Sequence, residues 1–167
     1  MILFAPKEID SREARTAITP ITAKRLVDKG IEVQVEASIG ELSNYSDNEY
    51  TEVGANIITD RSKALSDADI IFRVRKPPVD EIKKTKSGCI HLSFLDPFND
   101  SELLQLMASQ GITSISLEMI PRTTLAQKMD ALSSQANITG YTSVIYAAEK
   151  LDKVLPMMMT PAGTISP

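Results

Sequence analysis

The sequence predicts an α/β domain with three layers, in which a parallel β-sheet is covered by helices on both faces. Short β-type runs alternate with helical patterns along most of the chain, and the connections between them are short. The 167 residues are 43% hydrophobic and 24% charged, which is enough apolar material for one core but not for two. The sequence therefore predicts a single domain of alternating strands and helices.

The strands are predicted from short β-type runs, such as DIIFRV, CIHLSFL and TSISL, placed between helical patterns and turn signals. In chain order these strands are 2–5, 31–36, 56–59, 69–74, 89–95 and 113–117.

The helices are predicted from apolar periodicity and from end signals. For the first helix, Thr19 is the N-cap, Pro20 occupies the first turn and Gly30 is the stop, with Ile21, Leu26 and Val27 facing inward. In chain order the predicted helices are 20–29, 47–53, 61–65, 101–109 and 134–151.

The last third of the chain has a different character. Apolar residues at helical spacing predict a long amphipathic helix whose stripe includes Tyr141, Val144, Ile145 and Ala148. The proline-punctuated stretch PMMMTPAGTISP follows it and predicts an exit linker over 156–167, after a domain over 1–155. Its three methionines are interpreted as packing, because no companion metal ligands surround them.

Composition excludes several function classes. A net charge of -4 without a basic block argues against a nucleic-acid surface, so a small-molecule partner is favoured. One cysteine, Cys89, allows no internal disulfide, and with one histidine it makes no zinc site. No apolar run approaches the ~20 residues of a spanning helix, so the chain itself is not expected to insert into a membrane.

Polar residues crowd the segment PRTTLAQKMDALSSQANITGY, which begins at residue 121. Arg122, Gln127, Asp130 and Ser133 offer guanidinium, amide, carboxylate and hydroxyl groups, which can hold a polar ligand. A polar loop before a capped helix is also common in structural roles, and Ser133 would suit an N-cap. The residues alone leave both interpretations open.

The chain resembles the N-terminal domain shared by alanine dehydrogenase and the alpha subunit of the proton-translocating NAD(P) transhydrogenase. The resemblance covers nearly all of the chain and is carried by PKEIDSREARTAITP, VEASIGELSNYSD, YTEVGANI, DIIFRVRKP, the segment from residue 121 and TPAGTISP. It implies a flavodoxin-like, substrate-type domain that lacks the Rossmann NAD domain. Consistently, no G-x-G-x-x-G occurs among the seven glycines.

Within this family the segment from residue 121 is similar to the transhydrogenases. Their loop named for Arg, Gln and Asp matches Arg122, Gln127 and Asp130 in order and spacing. The resemblance implies that these residues, with Ser133, bind NADH and position it for direct hydride transfer. That transfer needs two nicotinamide C4 atoms held about 3 to 3.5 Å apart, rather than a general acid or base. Gln127, which donates and accepts, would bridge to the second nucleotide.

The resemblance also implies the rest of the assembly. NAD(H) would bind on the full subunit and NADP(H) on the partner beta subunit, with hydride transfer coupled to proton translocation through a membrane domain. The chain would be cytoplasmic, peripheral to the inner membrane and homodimeric, and inactive when isolated.

Two alternatives remain. Alanine dehydrogenases share Arg15, which grips the substrate carboxylate there, and have a lysine at Arg75, but their catalytic histidine aligns with Asp96. Arg15 could equally tie down the first loop, and Arg75 and its neighbour Lys76 are interpreted as solvated. His91 lies near the start of its predicted strand, away from the carboxyl ends where ligands bind, and is interpreted as structural. The other alternative is a non-catalytic docking module. The spacing of Arg122, Gln127 and Asp130 in the segment from residue 121 argues against it.

Overall fold

The computed structural model describes residues 1–166 and divides the chain into two compact units. The first unit is Met1–Ile120, and the second begins at Pro121. The domain boundary that the sequence predicts after residue 155 stays a prediction.

The first unit is built on a six-stranded sheet in which every neighbouring pair of strands is parallel. All six strands lie within or at the predicted ranges and are shorter than predicted at most ends, which confirms the α/β prediction. The strands are β1 (Ile2–Ala5), β2 (Glu32–Glu36), β3 (Asn56–Ile58), β4 (Ile70–Phe72), β5 (Ile90–Ser93) and β6 (Thr113–Ser116).

The strand order across the sheet is β3-β2-β1-β4-β5-β6. A flavodoxin-like sheet has five strands in the order 2-1-3-4-5. The observed sheet has this arrangement with one additional strand, β3, at the edge beside β2. The direction of winding reverses between β1 and β4. In open α/β sheets the crevice at the carboxyl ends of the strands beside such a reversal is the usual place for a ligand.

Five helices connect the strands: α1 (Pro20–Val27), α2 (Asp47–Glu52), α3 (Arg61–Asp67), α4 (Val79–Ile82) and α5 (Ser101–Ser109). Thr19 caps α1 by accepting from the Thr22 backbone N–H, with Pro20 in the first turn, as predicted. The short α4, which the sequence analysis missed, begins after Pro78.

The core lies on both faces of the sheet because successive strand residues point to opposite sides. In β1, Leu3 and Ala5 pack into one cluster with Val33 and Tyr50, whereas Phe4 packs into another cluster beneath α3. Tyr50 is fully buried, and its hydroxyl donates to the Ile18 carbonyl at 2.7 Å, so its burial leaves no unsatisfied polar group.

One inward residue of α1 was predicted wrongly. Ile21 is 65% exposed, whereas Pro20 and Ala23 are buried and Leu26 and Val27 pack against the core cluster. These four positions follow the i, i+3, i+6, i+7 stripe of a helix, and Ile21 lies off that stripe.

The second unit contains a long helix, α6 (Ala131–Lys150), and an antiparallel hairpin of β7 (Met158–Thr160) and β8 (Gly163–Ile165). The hairpin lies within the range 156–167 that the sequence predicts as an exit linker, and that linker role stays a prediction. In α6, the apolar residues Ile138, Tyr141, Val144 and Ile145 are each more than half exposed. Among residues 1–166, no helix combines the length and apolar character needed to cross a membrane.

Candidate functional site

The polar segment that begins at residue 121 folds as a series of tight hydrogen-bonded turns. The Thr123 amide donates to the Pro121 carbonyl at 3.0 Å, and the Ala126 amide donates to the Thr123 carbonyl at 3.1 Å. The Met129 amide then donates to the Ala126 carbonyl at 2.8 Å, and Ala126 is only 5% exposed. The segment therefore has a defined conformation of its own before α6 begins.

A 3₁₀ helix over Gln127–Met129 explains the spacing of the site residues. Because a 3₁₀ helix has three residues per turn, side chains three positions apart lie one above the other. Gln127 begins this helix and Asp130, three residues later, is its C-cap, whereas Ser133 belongs to the following helix, α6. These residues line one open cavity of about 350 Å³, together with Arg122, Thr123 and Thr124.

Asp130 is the N-cap of α6, which excludes the alternative interpretation of Ser133 as the N-cap of this helix. The Asp130 carboxylate accepts from the Ser133 backbone N–H at 2.9 Å and from the Ser133 hydroxyl at 2.6 Å. The helix consequently begins at Ala131, three residues earlier than predicted. These bonds from Ser133, followed by the charge of Arg122, hold the pKa of Asp130 below its ordinary value, so the cap is ionised at neutral pH.

Arg122 and Gln127 differ from Asp130 because their side chains are not hydrogen-bonded within the described part of the chain. Neither side chain makes a hydrogen bond to any other residue in the described part of the chain, 1–166, and both are exposed on the cavity. The Arg122 guanidinium offers five donors, and the Gln127 amide offers both donors and an acceptor. The cavity can thus bind a polar ligand through groups that the fold leaves available.

Two cavity residues escaped the sequence analysis. Thr123 and Thr124 lie directly after Arg122 and line the same cavity, but the sequence analysis did not single them out. Their adjacency to Arg122 was the available signal.

The first unit carries a separate cluster of charges, in the loops that follow β1 and β4. The Glu13 carboxylate accepts from Arg15 Nε at 2.7 Å, from Arg15 Nη2 at 2.6 Å and from Arg75 Nε at 2.9 Å. These bonds, above all those from Arg15, lower the pKa of Glu13 to about 2. This geometry matches the interpretation of Arg15 as a residue that ties down the first loop.

The other candidate residues of the first unit, Arg75, Lys76 and His91, also contact neighbouring side chains. Arg75 and Lys76 are both exposed, as predicted, although Arg75 also binds Glu13 and Lys76 Nζ lies 2.5 Å from Asp100 Oδ2. His91 is 2% exposed and lies 3.2 Å from the Ser93 hydroxyl. Burial first, and the charge of Arg73 second, lower its pKa to about 3, so the ring is neutral, in agreement with a structural role.

Carboxylates also hold neighbouring loops together at the carboxyl edge of the sheet. Glu36, at the end of β2, accepts from the Lys7 amide after β1 at 2.7 Å, and Glu8 accepts from the Val74 amide after β4 at 2.7 Å. Glu118, after β6, accepts from the Asp96 amide after β5 at 2.6 Å. We call Glu8, Glu36 and Glu118 the edge carboxylates.

The comparisons with known proteins agree with this architecture. The model of the family described as "Alanine dehydrogenase/PNT, N-terminal domain" matches residues 4–139. The chain is 42% identical over 170 residues to an NAD(P) transhydrogenase alpha subunit of Rickettsia prowazekii (strain Madrid E), covering 99% of this chain and 44% of that protein. The crystal structure of transhydrogenase from Sinorhizobium meliloti superimposes with a TM-score of 0.90 at 42% identity, covering 99% of this chain and 49% of that one.

An alanine dehydrogenase is a more distant relative. The enzyme of Halomonas elongata (strain ATCC 33173 / DSM 2581 / NBRC 15536 / NCIMB 2198 / 1H9) is 30% identical over 153 residues, which cover 92% of this chain and 41% of that enzyme. The chain thus spans less than half the length of these two curated relatives. From the matched family model and the similarity along its whole length, the chain belongs to the alanine dehydrogenase/PNT N-terminal domain family.

Proposed function

We propose that this chain is the N-terminal domain of an NAD(P) transhydrogenase alpha subunit and that it positions NADH for direct hydride transfer to NADP⁺. The observation that carries the proposal is the cavity on which Arg122, Gln127 and Asp130 converge. Whole-length similarity to a transhydrogenase alpha subunit, at 42% identity against 30% for the alanine dehydrogenase, supports it.

The division of work among the three residues follows from their hydrogen bonds. Asp130 is already engaged by Ser133, so it fixes the start of α6 and holds negative charge beside Arg122. Arg122 and Gln127 keep their donors and acceptors for ligands. In a reaction that depends on bringing two nicotinamide rings together, such groups act by holding the rings in place.

The wider assembly belongs to the same proposal. NAD(H) binds the full subunit with help from a Rossmann domain, which this sequence does not encode because it has no G-x-G-x-x-G. NADP(H) binds the beta subunit, and transfer between the two nucleotides is coupled to proton translocation in a membrane domain. The chain functions in the cytoplasm, peripheral to the inner membrane, as part of a homodimer.

The second candidate is the substrate domain of an alanine-type dehydrogenase, favoured by the shared Arg15 and by the alanine dehydrogenase relative. Against it, Arg15, the residue that grips the substrate carboxylate in that family, is already bonded to the Glu13 carboxylate through Nε and Nη2. Asp96 also stands where that family has its catalytic histidine. Alanine-dependent formation of NADH by the complete protein would favour this candidate over the first.

The first proposal is tested by NADH titration and by hydride transfer in the complete reconstituted enzyme. We expect Arg122→Ala to weaken NADH binding by about 10-fold or more, because it removes charge-assisted hydrogen bonds. The control is Lys128→Ala, which removes a neighbouring cation outside the cavity and should leave binding near wild type. Equal affinities for both variants and the wild type would contradict the proposal.

A further inference from the structure

Among the hydroxyl groups around the cavity, three form hydrogen bonds within the described part of the chain and one does not. The Ser133 hydroxyl donates to Asp130 Oδ2 at 2.6 Å, and the Ser134 hydroxyl donates to the Asp130 carbonyl at 3.2 Å. The Thr123 hydroxyl accepts from the Ala126 amide at 3.4 Å, which closes the first turn of the segment.

Thr124 is the exception. Its side chain is exposed and lines the cavity beside Arg122 and Gln127, and within residues 1–166 its hydroxyl makes no hydrogen bond. The turns on either side of Thr124 are closed by backbone bonds, so its backbone position does not depend on the hydroxyl. A threonine hydroxyl both donates and accepts, so it suits an amide or a ribose hydroxyl as well as an anionic oxygen.

The charges near the cavity also indicate whether the ligand group that Thr124 contacts is charged or uncharged. Asp130 places a carboxylate at the N-terminus of α6 and accepts the Ser133 amide, so the helix terminus is already neutralised from within the chain. Arg122 and Asp130 carry opposite charges, and the charge of Arg122 adds to the hydrogen bonds from Ser133 that lower the pKa of Asp130. A cavity with balanced charge favours an uncharged polar group of a ligand over a phosphate.

We propose that Thr124 is a further ligand-binding residue of this site, with its hydroxyl bonded to an uncharged amide or hydroxyl group of the nucleotide. This inference rests on the proposed function, because it takes the ligand of the cavity to be NADH. The binding set in the cavity is then Arg122, Gln127 and Thr124, while Thr123 and Asp130 position the segment.

The test compares Thr124→Val with Thr124→Ser in the complete enzyme, using NADH titration and thermal unfolding. Valine keeps the size and β-branching of threonine but removes the hydroxyl, whereas serine keeps the hydroxyl. We expect Thr124→Val to weaken NADH binding about 3- to 10-fold, as for the loss of one hydrogen bond, with an unchanged melting temperature. Thr124→Ser should bind within about 2-fold of wild type, since the hydrogen bond remains.

Thr123→Val is the matched control, because its hydroxyl serves the turn. It should lower the melting temperature more than Thr124→Val does, since Thr123 bonds the Ala126 amide. The inference is overturned if Thr124→Val binds NADH like wild type, or if Thr124→Ser binds as weakly as Thr124→Val. If Arg122→Ala also leaves NADH binding intact, the proposed function fails as well. If Arg122→Ala weakens binding and Thr124→Val does not, only the role of Thr124 fails.

Discussion

Shortening Gln127 by one methylene tests whether this side chain bridges two nucleotides. In the structure the Gln127 amide bonds to no residue in the described part of the chain and faces the cavity, so Gln127→Asn removes no internal hydrogen bond. The 3₁₀ helix is held by backbone bonds, among them the 2.8 Å bond from the Met129 amide to the Ala126 carbonyl, and these do not involve the side chain. The substitution therefore changes the reach of the amide and leaves its support in place.

The expected magnitude follows from that change in reach. The amide withdraws by about 1 Å, and a misplacement of this size can cost on the order of 100-fold when a reaction depends on positioning. We expect stopped-flow hydride transfer in the complete reconstituted enzyme to slow by roughly 10- to 100-fold, which corresponds to about 1.4 to 2.7 kcal/mol in the barrier. NADH affinity should stay close to wild type, because Arg122 still binds the first nucleotide.

The assay needs a control for the glutamine-to-asparagine substitution itself. Gln105→Asn makes the same substitution at an exposed position of α5 and should leave the transfer rate unchanged. If Gln127→Asn transfers hydride at the wild-type rate in single turnovers and only its melting temperature falls, Gln127 supports the segment and does not bridge the nucleotides.

Three further predictions concern stability, affinity and assembly. Because the pKa of Glu13 is lowered to about 2 from an ordinary 4.5, its contribution to stability is complete above about pH 4.5 and is lost as the pH falls toward 2. Glu13→Gln should therefore lower the melting temperature by roughly 2 to 6 °C at pH 7, with a difference from wild type that shrinks in acid; a constant difference across this pH range would contradict the assignment. The 167-residue chain alone should bind NADH weakly or not at all in calorimetric titration, because it has no G-x-G-x-x-G turn, and micromolar binding would refute this. The exposed apolar stripe of Tyr141, Val144, Ile145 and Ala148 should be covered in a homodimer, and a strictly monomeric mass in light scattering at high concentration would count against it.

The sheet could be predicted from the sequence because its signals are local. Each strand lies in a β-type run beside clear punctuation, such as Gly30 before β2 and Gly54 before β3, and the caps at Thr19 and Pro20 are set by side-chain chemistry. The strand order was less accessible, because it depends on which strands pair across long connections and no local pattern encodes that choice.

The errors have equally specific physical causes. The start of α6 was placed too late because Ser133 and Asp130 both suit an N-cap, and only the geometry shows that the aspartate takes the role. The hairpin was missed because the stretch around Pro161 was interpreted as a linker, although Pro161 and Ala162 form the turn that joins β7 to β8.

The candidate site was predicted in part. The spacing of Arg122, Gln127 and Asp130 was recognised through the family resemblance, and the 3₁₀ helix accounts physically for two of the three positions. Which polar groups remain available to a ligand could not be predicted, since it depends on every hydrogen bond made within the fold. For that reason Thr124 was not singled out, and the binding role predicted for Ser133, whose hydroxyl donates to Asp130, stays a prediction.

The edge carboxylates have a consequence for recognition at the carboxyl end of the sheet. Loops are usually the most mobile parts of a domain, and a surface made of loops loses conformational entropy when a partner or ligand orders it. Here Glu8, Glu36 and Glu118 fix the loops after β1, β4 and β5 by bonding to their backbone amides. These bonds restrict the loops before anything binds, so part of the entropic cost of ordering them is incurred during folding.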